Sequence, residues 1–326
     1  MRLSMHMLEL EITTKCNLNC LHCYNRENKN LDMDFDEIVN LIHFANKHRI
    51  HTFTISGGEA ALHPEFSKIC AYLKENRNKL ENISKITMQT NGYIRKLNLE
   101  DLQGFDYIHL SFDIDENGVR NISSQKTIEL AKDLQNVGIK PYLFTTVHKK
   151  NVDFIDEIVE IANENKVPIA FNFCIDTGRD TEFLLSKQEK ITAIQKLLKY
   201  EKESKINKLK HPYVNSFKKM ALEKGEQFRI KGGCTAGIAS CSVLANGDVI
   251  PCPFVRVKAG NIHKEPLEKI WLESKVFNEI RDRKNYEGCG NCKFLAYCGG
   301  CRRSAYQSSN KLNGFDANCI GREEVS

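Results

Sequence analysis

The chain has 326 residues, with 47 Lys+Arg against 42 Asp+Glu, 13 cysteines and a single tryptophan. An apolar content of 41% with 27% charged residues excludes a disordered or collagen-like chain, and no run of 18 apolar residues offers a membrane span. Met1–Leu10 lacks the apolar core of a secretory signal, so the expected setting is a reducing cytoplasm, where thiols serve as ligands or catalytic groups rather than as disulfides.

Strand-like runs at Leu8–Thr14, His51–Ser56, Ile83–Thr90, Tyr107–Asp113, Tyr142–Val147 and Ile169–Phe173 alternate with helical stretches. The helices are expected over Phe35–Arg49, Pro64–Lys79, Leu97–Gln103, Ile122–Val137 and Val152–Asn165. Their apolar residues recur three and four apart, as at Ile38, Leu41, Ile42 and Ala45. Pro64 sits where a helix should start and Gly138 where one should stop. Strands alternating with helices imply βαβ units and a parallel sheet. Six units within about the first 180 residues are too few for a closed eight-stranded barrel. An open doubly wound sheet or an incomplete barrel fits, and in both the reactive groups gather beyond the carboxyl ends of the strands.

Between Ser186 and Lys231 there are 13 Lys+Arg against 5 Asp+Glu, so the net positive charge belongs to this segment and the rest of the chain is mildly acidic. Ile191, Ile194, Leu197 and Leu198 give it an apolar stripe at helical spacing, the pattern of one or two connecting helices with a solvated face. A docking surface for an acidic partner is the other reading. Aromatics are too sparse for a nucleic-acid site. After Gly232–Gly233 the composition changes: residues 234–326 hold 9 glycines and 8 of the cysteines with little periodicity, as expected of a segment held by ligation rather than by a core. The expected division is thus 1–185, a basic linker 186–231, and a cysteine-rich extension 232–326.

Cys16-Asn-Leu-Asn-Cys20-Leu-His-Cys23 follows the first expected strand, on the loop where a βα active site would lie. Three thiolates spaced x3 and x2 lack the fourth ligand of a tetrahedral zinc site unless His22 joins them, and adjacent residues rarely both reach one ion. The same thiolates suit three irons of a [4Fe–4S] cube, leaving the fourth iron to an amine and carboxylate chelate. Ser56-Gly57-Gly58-Glu59 ends the second strand; its glycines admit close backbone approach and its carboxylate can accept from an ammonium group. Thr90-Asn91-Gly92 follows the third strand and Ser111-Phe-Asp113 ends the fourth. Each is weak alone, but together they ring one end of a sheet with small polar groups.

C-x3-C-x2-C with an aromatic ring before the last Cys, then Gly-Gly-Glu at the end of strand two, resembles the radical SAM superfamily. The resemblance spans about the first 180 residues. It implies a partial (β/α)6 TIM-like barrel of α/β class, with a cluster whose open iron is chelated by S-adenosylmethionine. Reductive cleavage of the sulfonium would then release a 5′-deoxyadenosyl radical that abstracts hydrogen from a substrate. By the same resemblance Gly57, Gly58 and Glu59 contact the methionine amine, and Ser111 and Arg120 lie near its carboxylate. Thr90, Asn91 and Asp113 line the nucleoside side, and His22 and Tyr24 flank the adenine.

The remaining cysteines form C-x12-G-x4-C at Cys234, Gly247 and Cys252, then Cys289-x2-Cys292-x5-Cys298-x2-Cys301, and a final Cys319. Paired C-x2-C elements read first as zinc ribbons. With Cys241 as an eighth thiol they equally suit two four-thiolate clusters. The arrangement resembles the SPASM extension of radical SAM enzymes, which implies two auxiliary [4Fe–4S] clusters and three in all. Cys234, Cys241, Cys252 and Cys301 would hold the first auxiliary cluster, and Cys289, Cys292, Cys298 and Cys319 the second. The usual spacing before the penultimate Cys is x3, whereas here it is x2. Cys298-Gly-Gly-Cys301-Arg302 resembles the branch that includes cofactor-peptide and haem-modifying members.

Cys70, on a helix with Ile69 and Leu73, reads as a small core residue. Cys174 ends the sixth strand on the reactive face, either packed or as a hydrogen donor, and Gly178-Arg179 follow it. The expected activity is radical modification of a peptide or protein, as in maturation of a ribosomal precursor by thioether or carbon–carbon cross-linking, decarboxylation or a related oxidation. A small molecule such as a porphyrin or sugar is the alternative, and a non-catalytic zinc-ribbon module a distant one. Expected partners are the substrate and a one-electron donor such as flavodoxin or ferredoxin, with no nucleic acid and no membrane. Many peptide maturases of this group carry a leader-binding domain before the barrel; Cys16 follows only fifteen residues, which assigns a leader to a separate protein or to the basic segment, if there is one.

Overall fold

The computed structural model describes residues 3–25, 30–114, 119–120, 123–176, 181–210, 212–223 and 232–319. Its elements run β1 (Met7–Glu11), α1 (Phe35–Lys47), β2 (Thr52–Ser56), α2 (Phe66–Asn76), β3 (Lys85–Thr90), β4 (Tyr107–Ser111), α3 (Ser124–Asn136), β5 (Lys140–Val147), α4 (Ile155–Glu164) and β6 (Ile169–Phe173). The chain continues through α5 (Lys187–Lys202), β7 (Lys208–Lys210), α6 (Pro212–Glu223), β8 (Ser240–Val243), β9 (Asp248–Ile250) and β10 (Gly260–Asn261). It ends with α7 (Leu267–Glu273), α8 (Lys275–Arg281) and α9 (Arg302–Ser309).

Strands β1 to β7 pair in sequence order, each parallel to the next, as right-handed βαβ connection favours. The two-residue period of each strand sorts its side chains. Leu10, Phe53, Ile55, Ile86, Ile108 and Leu110 are wholly buried on the helix-covered side. On the opposite, inner side lie polar groups: Ser56 Oγ donates to Glu9 Oε1 (2.9 Å), and the Thr54 and Thr87 hydroxyls pair at 2.9 Å. The sheet does not close on itself, which makes it an incomplete barrel with an accessible interior.

Three features differ from the sequence expectation. Leu97–Gln103 is replaced by a 3-10 helix over Leu99–Gly104, and a short 3-10 turn at Val152–Phe154 precedes α4. The basic segment contains a strand as well as helices: β7 adds to β6 between α5 and α6. Lysines flanking a single Leu suit an exposed strand edge, and their charge hid the strand from a periodicity argument. α5 itself starts on a capping box, with Ser186 N–H donating to Glu189 (2.7 Å) and Glu189 N–H to Ser186 Oγ (3.3 Å).

The third difference is the extension. It is not held by ligation alone. β8 pairs in parallel with the free side of β1, so residues 240–243 lengthen the barrel sheet, and β9 and β10 continue it antiparallel. Trp271 and Phe277 are fully buried, and Val243, Val249 and Phe294 belong to the same apolar core as the barrel strands. Among the described residues no helix is long and apolar enough to cross a membrane.

Candidate active site

The segment between β1 and Cys16 is fixed before any thiol is placed. Gly58 N–H donates to Thr13 C=O (2.8 Å) and Glu59 N–H to Lys15 C=O (2.7 Å), so the Gly-Gly turn after β2 lies directly on residues 13–15. A Cβ on Gly58 would sit 2.3 Å from the Lys15 carbonyl oxygen; only glycine permits this approach. From the other side Asp32 holds Thr13 Oγ1 (2.6 Å) and Lys15 Nζ (2.5 Å). Cys16, Cys20 and Cys23 then line one cavity of about 490 Å³ at the carboxyl ends of the strands.

The three thiols lie within electrostatic reach of one another. Burial pushes the Cys20 thiol up to about 11, although Arg120 draws it down, and burial also raises Cys16. Main-chain N–H groups point at the sulfurs, Leu18 to Cys16 (3.5 Å) and Asn25 to Cys23 (3.4 Å), and Asn91 Nδ2 lies 3.8 Å from Cys16 Sγ. Clustered thiols with N–H donors aimed at sulfur fit an iron–sulfur centre, whose thiolates carry charge that such donors offset. His22 is not gathered with them as a fourth ligand: its Nε2 meets Arg120 Nη2 at 2.9 Å and its ring lies 5.1 Å from that of His148.

Of the residues singled out from sequence, His22, Tyr24, Gly57, Gly58, Thr90, Asn91, Ser111, Arg120 and Cys174 line the same cavity. Glu59 and Asp113 do not. The Glu59 carboxylate turns into the end of β3, accepting from Thr90 Oγ1 (2.8 Å), Asn91 N–H (2.7 Å) and Ala61 N–H (3.3 Å). Loss of hydration nevertheless pushes its carboxyl up to about 7. Asp113 stands behind the wall, its Oδ2 2.6 Å from Arg120 Nε and its Oδ1 accepting from Asn151 Nδ2 (3.2 Å). Both carboxylates thus brace the wall of the cavity from behind its lining. Gly178 and Arg179 lie outside the described residues.

Gln89, Phe144, Thr146, Asn172 and Phe254 also line the cavity and were not singled out from sequence. Strand parity could have found the first four: Gln89 shares a face with Thr87, and Asn172 is the polar member between two buried phenylalanines. Phe254 comes from the extension, and no local pattern marks it. Its ring meets Tyr24 at 4.7 Å, while Arg256, two residues on, pairs with Glu11 (2.5 Å) and donates to Asn25 (2.8 Å).

In the extension, Cys252 senses Cys234 and Cys301, and Cys301 senses Cys234. Cys289 senses Cys319 and Cys292, and Cys298 senses Cys319. The two groups adjoin: Cys234 N–H donates to Cys298 C=O (3.2 Å). The pattern seen at Cys16 and Cys23 recurs, the N–H two residues on bonding to the sulfur: Phe254 to Cys252 (3.4 Å), Phe294 to Cys292 (3.4 Å) and Gly300 to Cys298 (3.3 Å). Ala236 does the same for Cys234, and Arg303 for Cys301.

Cys241 corrects the expected first set. It pairs in register with Leu8, so it shares the buried outer face of β1 while Ser242 takes the inner one. Its sulfur lies 3.8 Å from Met5 Sδ, burial raises its pKa strongly, and the charge it senses is Arg281 rather than another thiol. Cys70 is buried on α2, as expected.

Residues 10–162 match the family model of the radical SAM superfamily, and residues 234–293 match that of the SPASM iron–sulfur cluster-binding domain. The chain carries a radical SAM domain followed by a SPASM domain. It is a radical SAM enzyme of the SPASM type, using S-adenosylmethionine and iron–sulfur chemistry. Among curated proteins it is 27% identical to an AdoMet-dependent heme synthase of Methanosarcina barkeri, over 97% of this chain and 96% of that one. It is 24% identical to the mycofactocin maturase MftC of Mycobacterium tuberculosis, over 96% and 82% respectively. Streptococcus suis SuiB, solved with its precursor peptide SuiA, superposes with a TM-score of 0.77 at 20% identity, covering 98% of this chain and 76% of SuiB. That likeness is one of fold.

Proposed function

We propose that this radical SAM enzyme abstracts hydrogen from a peptide or protein, in the maturation of a ribosomal precursor, and carries three [4Fe–4S] clusters. The chemistry of the cavity wall carries the substrate class. Among the described lining residues Arg120 is the only Lys, Arg, Asp or Glu, and it is already engaged by Asp113 and His22. The wall toward β5 and β6 is amide, hydroxyl and aromatic: Gln89, Thr146, Asn172, Phe144 and Phe173. Such groups pair with peptide N–H and C=O without counter-charge, whereas a substrate bearing several carboxylates calls for cations.

Cys16, Cys20 and Cys23 would hold the barrel cluster. When bound, that cluster and S-adenosylmethionine supply a 5′-deoxyadenosyl radical by one-electron reduction. The chain's own part is to bind and orient. Main-chain groups at Ser56–Gly58 face the methionine ammonium, with Glu59 holding their turn against β3. Arg120, steered by Asp113, and Ser111 serve the methionine carboxylate. Thr90 and Asn91 border the nucleoside, and His22 and Tyr24 flank the adenine. Cys174 stands on the substrate side as a hydrogen donor. Cys234, Cys252 and Cys301 form a first auxiliary set of three thiols, and Cys289, Cys292, Cys298 and Cys319 a second of four. The barrel spans 1–185, the linker 186–231 and the auxiliary domain 232–326. A flavodoxin or ferredoxin supplies the electron in the cytoplasm.

A porphyrin substrate is the second reading, favoured by the end-to-end match to a heme synthase. Anaerobic holoenzyme with S-adenosylmethionine and reductant is to be assayed for substrate-stimulated 5′-deoxyadenosine and for deuterium transfer from labelled substrate. Stimulation by a peptide encoded beside the enzyme supports the proposal. Stimulation by Fe-coproporphyrin III alone overturns it, and zinc without iron in the purified protein removes catalysis altogether.

A further inference from the structure

Arg302 follows Cys301 directly and is 1% exposed, a depth at which a guanidinium rarely lies without a purpose. Its Nη1 donates to the carbonyls of Leu312 (2.9 Å) and Gly314 (3.1 Å), and its Nη2 to that of Gly299 (3.0 Å). The guanidinium lies 3.9 Å over the ring of Tyr286. Carbonyls and a ring satisfy hydrogens and direct the group, but they leave its full positive charge in place. Its Nε–H is buried and meets no protein acceptor among the described residues. One buried donor is therefore left over, on a cation held by neutral groups.

The charge lies within electrostatic reach of both auxiliary thiol sets. Cys234 of the first set senses the Arg302 cation and also accepts from the Arg302 main-chain N–H. Cys289 of the second set senses the same cation. Tyr286, beneath the guanidinium, lies within reach of both Cys234 and Cys289. The opposing charge nearby is Asp316, fully buried, whose oxygens accept from Tyr213 Oη (2.6 Å), Cys301 N–H (2.7 Å) and Asn318 N–H (3.0 Å). Lys190 on α5 and Arg283 add positive charge on the same side, Lys190 toward Asp316 and Cys301 and Arg283 toward Cys234.

We propose that Arg302 is a positioning residue that sets the reduction potential of the auxiliary centres, its fixed charge favouring their one-electron-reduced forms and its Nε–H donating to a cluster sulfur. The inference rests on the auxiliary ligand sets proposed above. Each one-electron reduction adds a negative charge to a centre already bearing thiolates, and a desolvated cation beside it shifts that equilibrium toward reduction. The centres thereby become better acceptors for an electron leaving an oxidised substrate.

The test is a potentiometric titration of anaerobically loaded holoenzyme, read by electron paramagnetic resonance. In R302Q at least one auxiliary centre should fall tenfold or more in its reduction equilibrium, 59 mV for one electron. R302K, which keeps the charge, should stay within threefold of wild type, and the barrel centre should not move in either variant. Unchanged auxiliary midpoints in R302Q, or equal shifts in R302K and R302Q, overturn the proposal in favour of a packing role. If R302Q fails to load its auxiliary centres, R283K enzyme carrying arginine labelled with ¹⁵N at the side-chain Nε alone decides instead, because the main-chain nitrogens of Arg302 and Arg303 already face the Cys234 and Cys301 sulfurs. A ¹⁵N hyperfine coupling on a reduced auxiliary centre supports the proposal, and its absence overturns it. Wild-type enzyme with only the barrel signal would overturn both this inference and the ligand sets beneath it, whereas auxiliary signals indifferent to Arg302 would overturn this inference alone.

Discussion

In the barrel, three thiols fall within eight residues on one loop and face a cavity open to solvent; in the extension, seven are drawn from positions 234 to 319, with Cys289, Cys298 and Cys301 buried. Both regions aim main-chain N–H groups at sulfur, yet they reach this state differently. The loop is pinned from outside by Gly57–Gly58 and Asp32 and presents its thiols where a ligand can exchange. The extension brings its thiols together only when β8, α9 and the segments between them have folded. Its loading is accordingly coupled to folding, as in metal-dependent domains. Burial raises the thiols of both regions, Cys298 to about 11 and Cys301 to about 12, so loading must also displace protons.

The largest test of this contrast is to remove one side of it. Replacing Cys16, Cys20 or Cys23 by Ala should abolish 5′-deoxyadenosine formation and remove about four of about twelve irons per chain, with the auxiliary signals intact. Retained cleavage would refute the barrel site. The next test divides the extension internally. C252A should lose about four irons from the first auxiliary set and leave the barrel centre as in wild type, whereas C241A should keep every iron and cost only about 1 kcal/mol in chemical unfolding. Iron loss in C241A would return it to the first set.

Glu59 sharpens the barrel side. Its folded pKa of about 7 exceeds its ordinary value of 4.5, so folding favours the protonated form. That contribution is complete below pH 4.5 and disappears as pH rises through 7, a loss of about 3 kcal/mol. Unfolding of E59Q under anaerobic conditions should lack this decline; an identical pH profile in both proteins would show that Glu59 does not titrate in that window. A milder effect than removing a barrel thiol is expected from G58A, whose Cβ must displace the Lys15 carbonyl. It should cost about 1–3 kcal/mol and slow loading of the barrel centre, leaving the auxiliary centres at wild-type occupancy.

Most of the barrel and its loop were legible because their signals are local. Cys16 to Cys23 lie within a single loop, Gly57–Gly58 abut a strand end, and the strands repeat every two residues. Glu59 and Asp113 were identified as important, but their direction was not, because a carboxylate looks the same in sequence whether it meets a ligand or braces a wall. β7 was hidden by its lysines, and Phe254 by its distance in the chain from Tyr24.

Sequence by itself determined the residue types, the spacing of the thiols and the alternation that makes a parallel sheet. The tertiary structure decided which thiols meet. Cys241 fits the ligand pattern by spacing, and a shift of one residue along β8 would have turned it to the inner face of the sheet. Register against Leu8 turned it to the outer face instead, because strand pairing fixes side-chain direction with a period of two and spacing along the chain carries no such information. The same is true of Arg302: that it is an arginine beside Cys301 can be read from the chain, but its burial within electrostatic reach of two groups of thiols is a property of the fold.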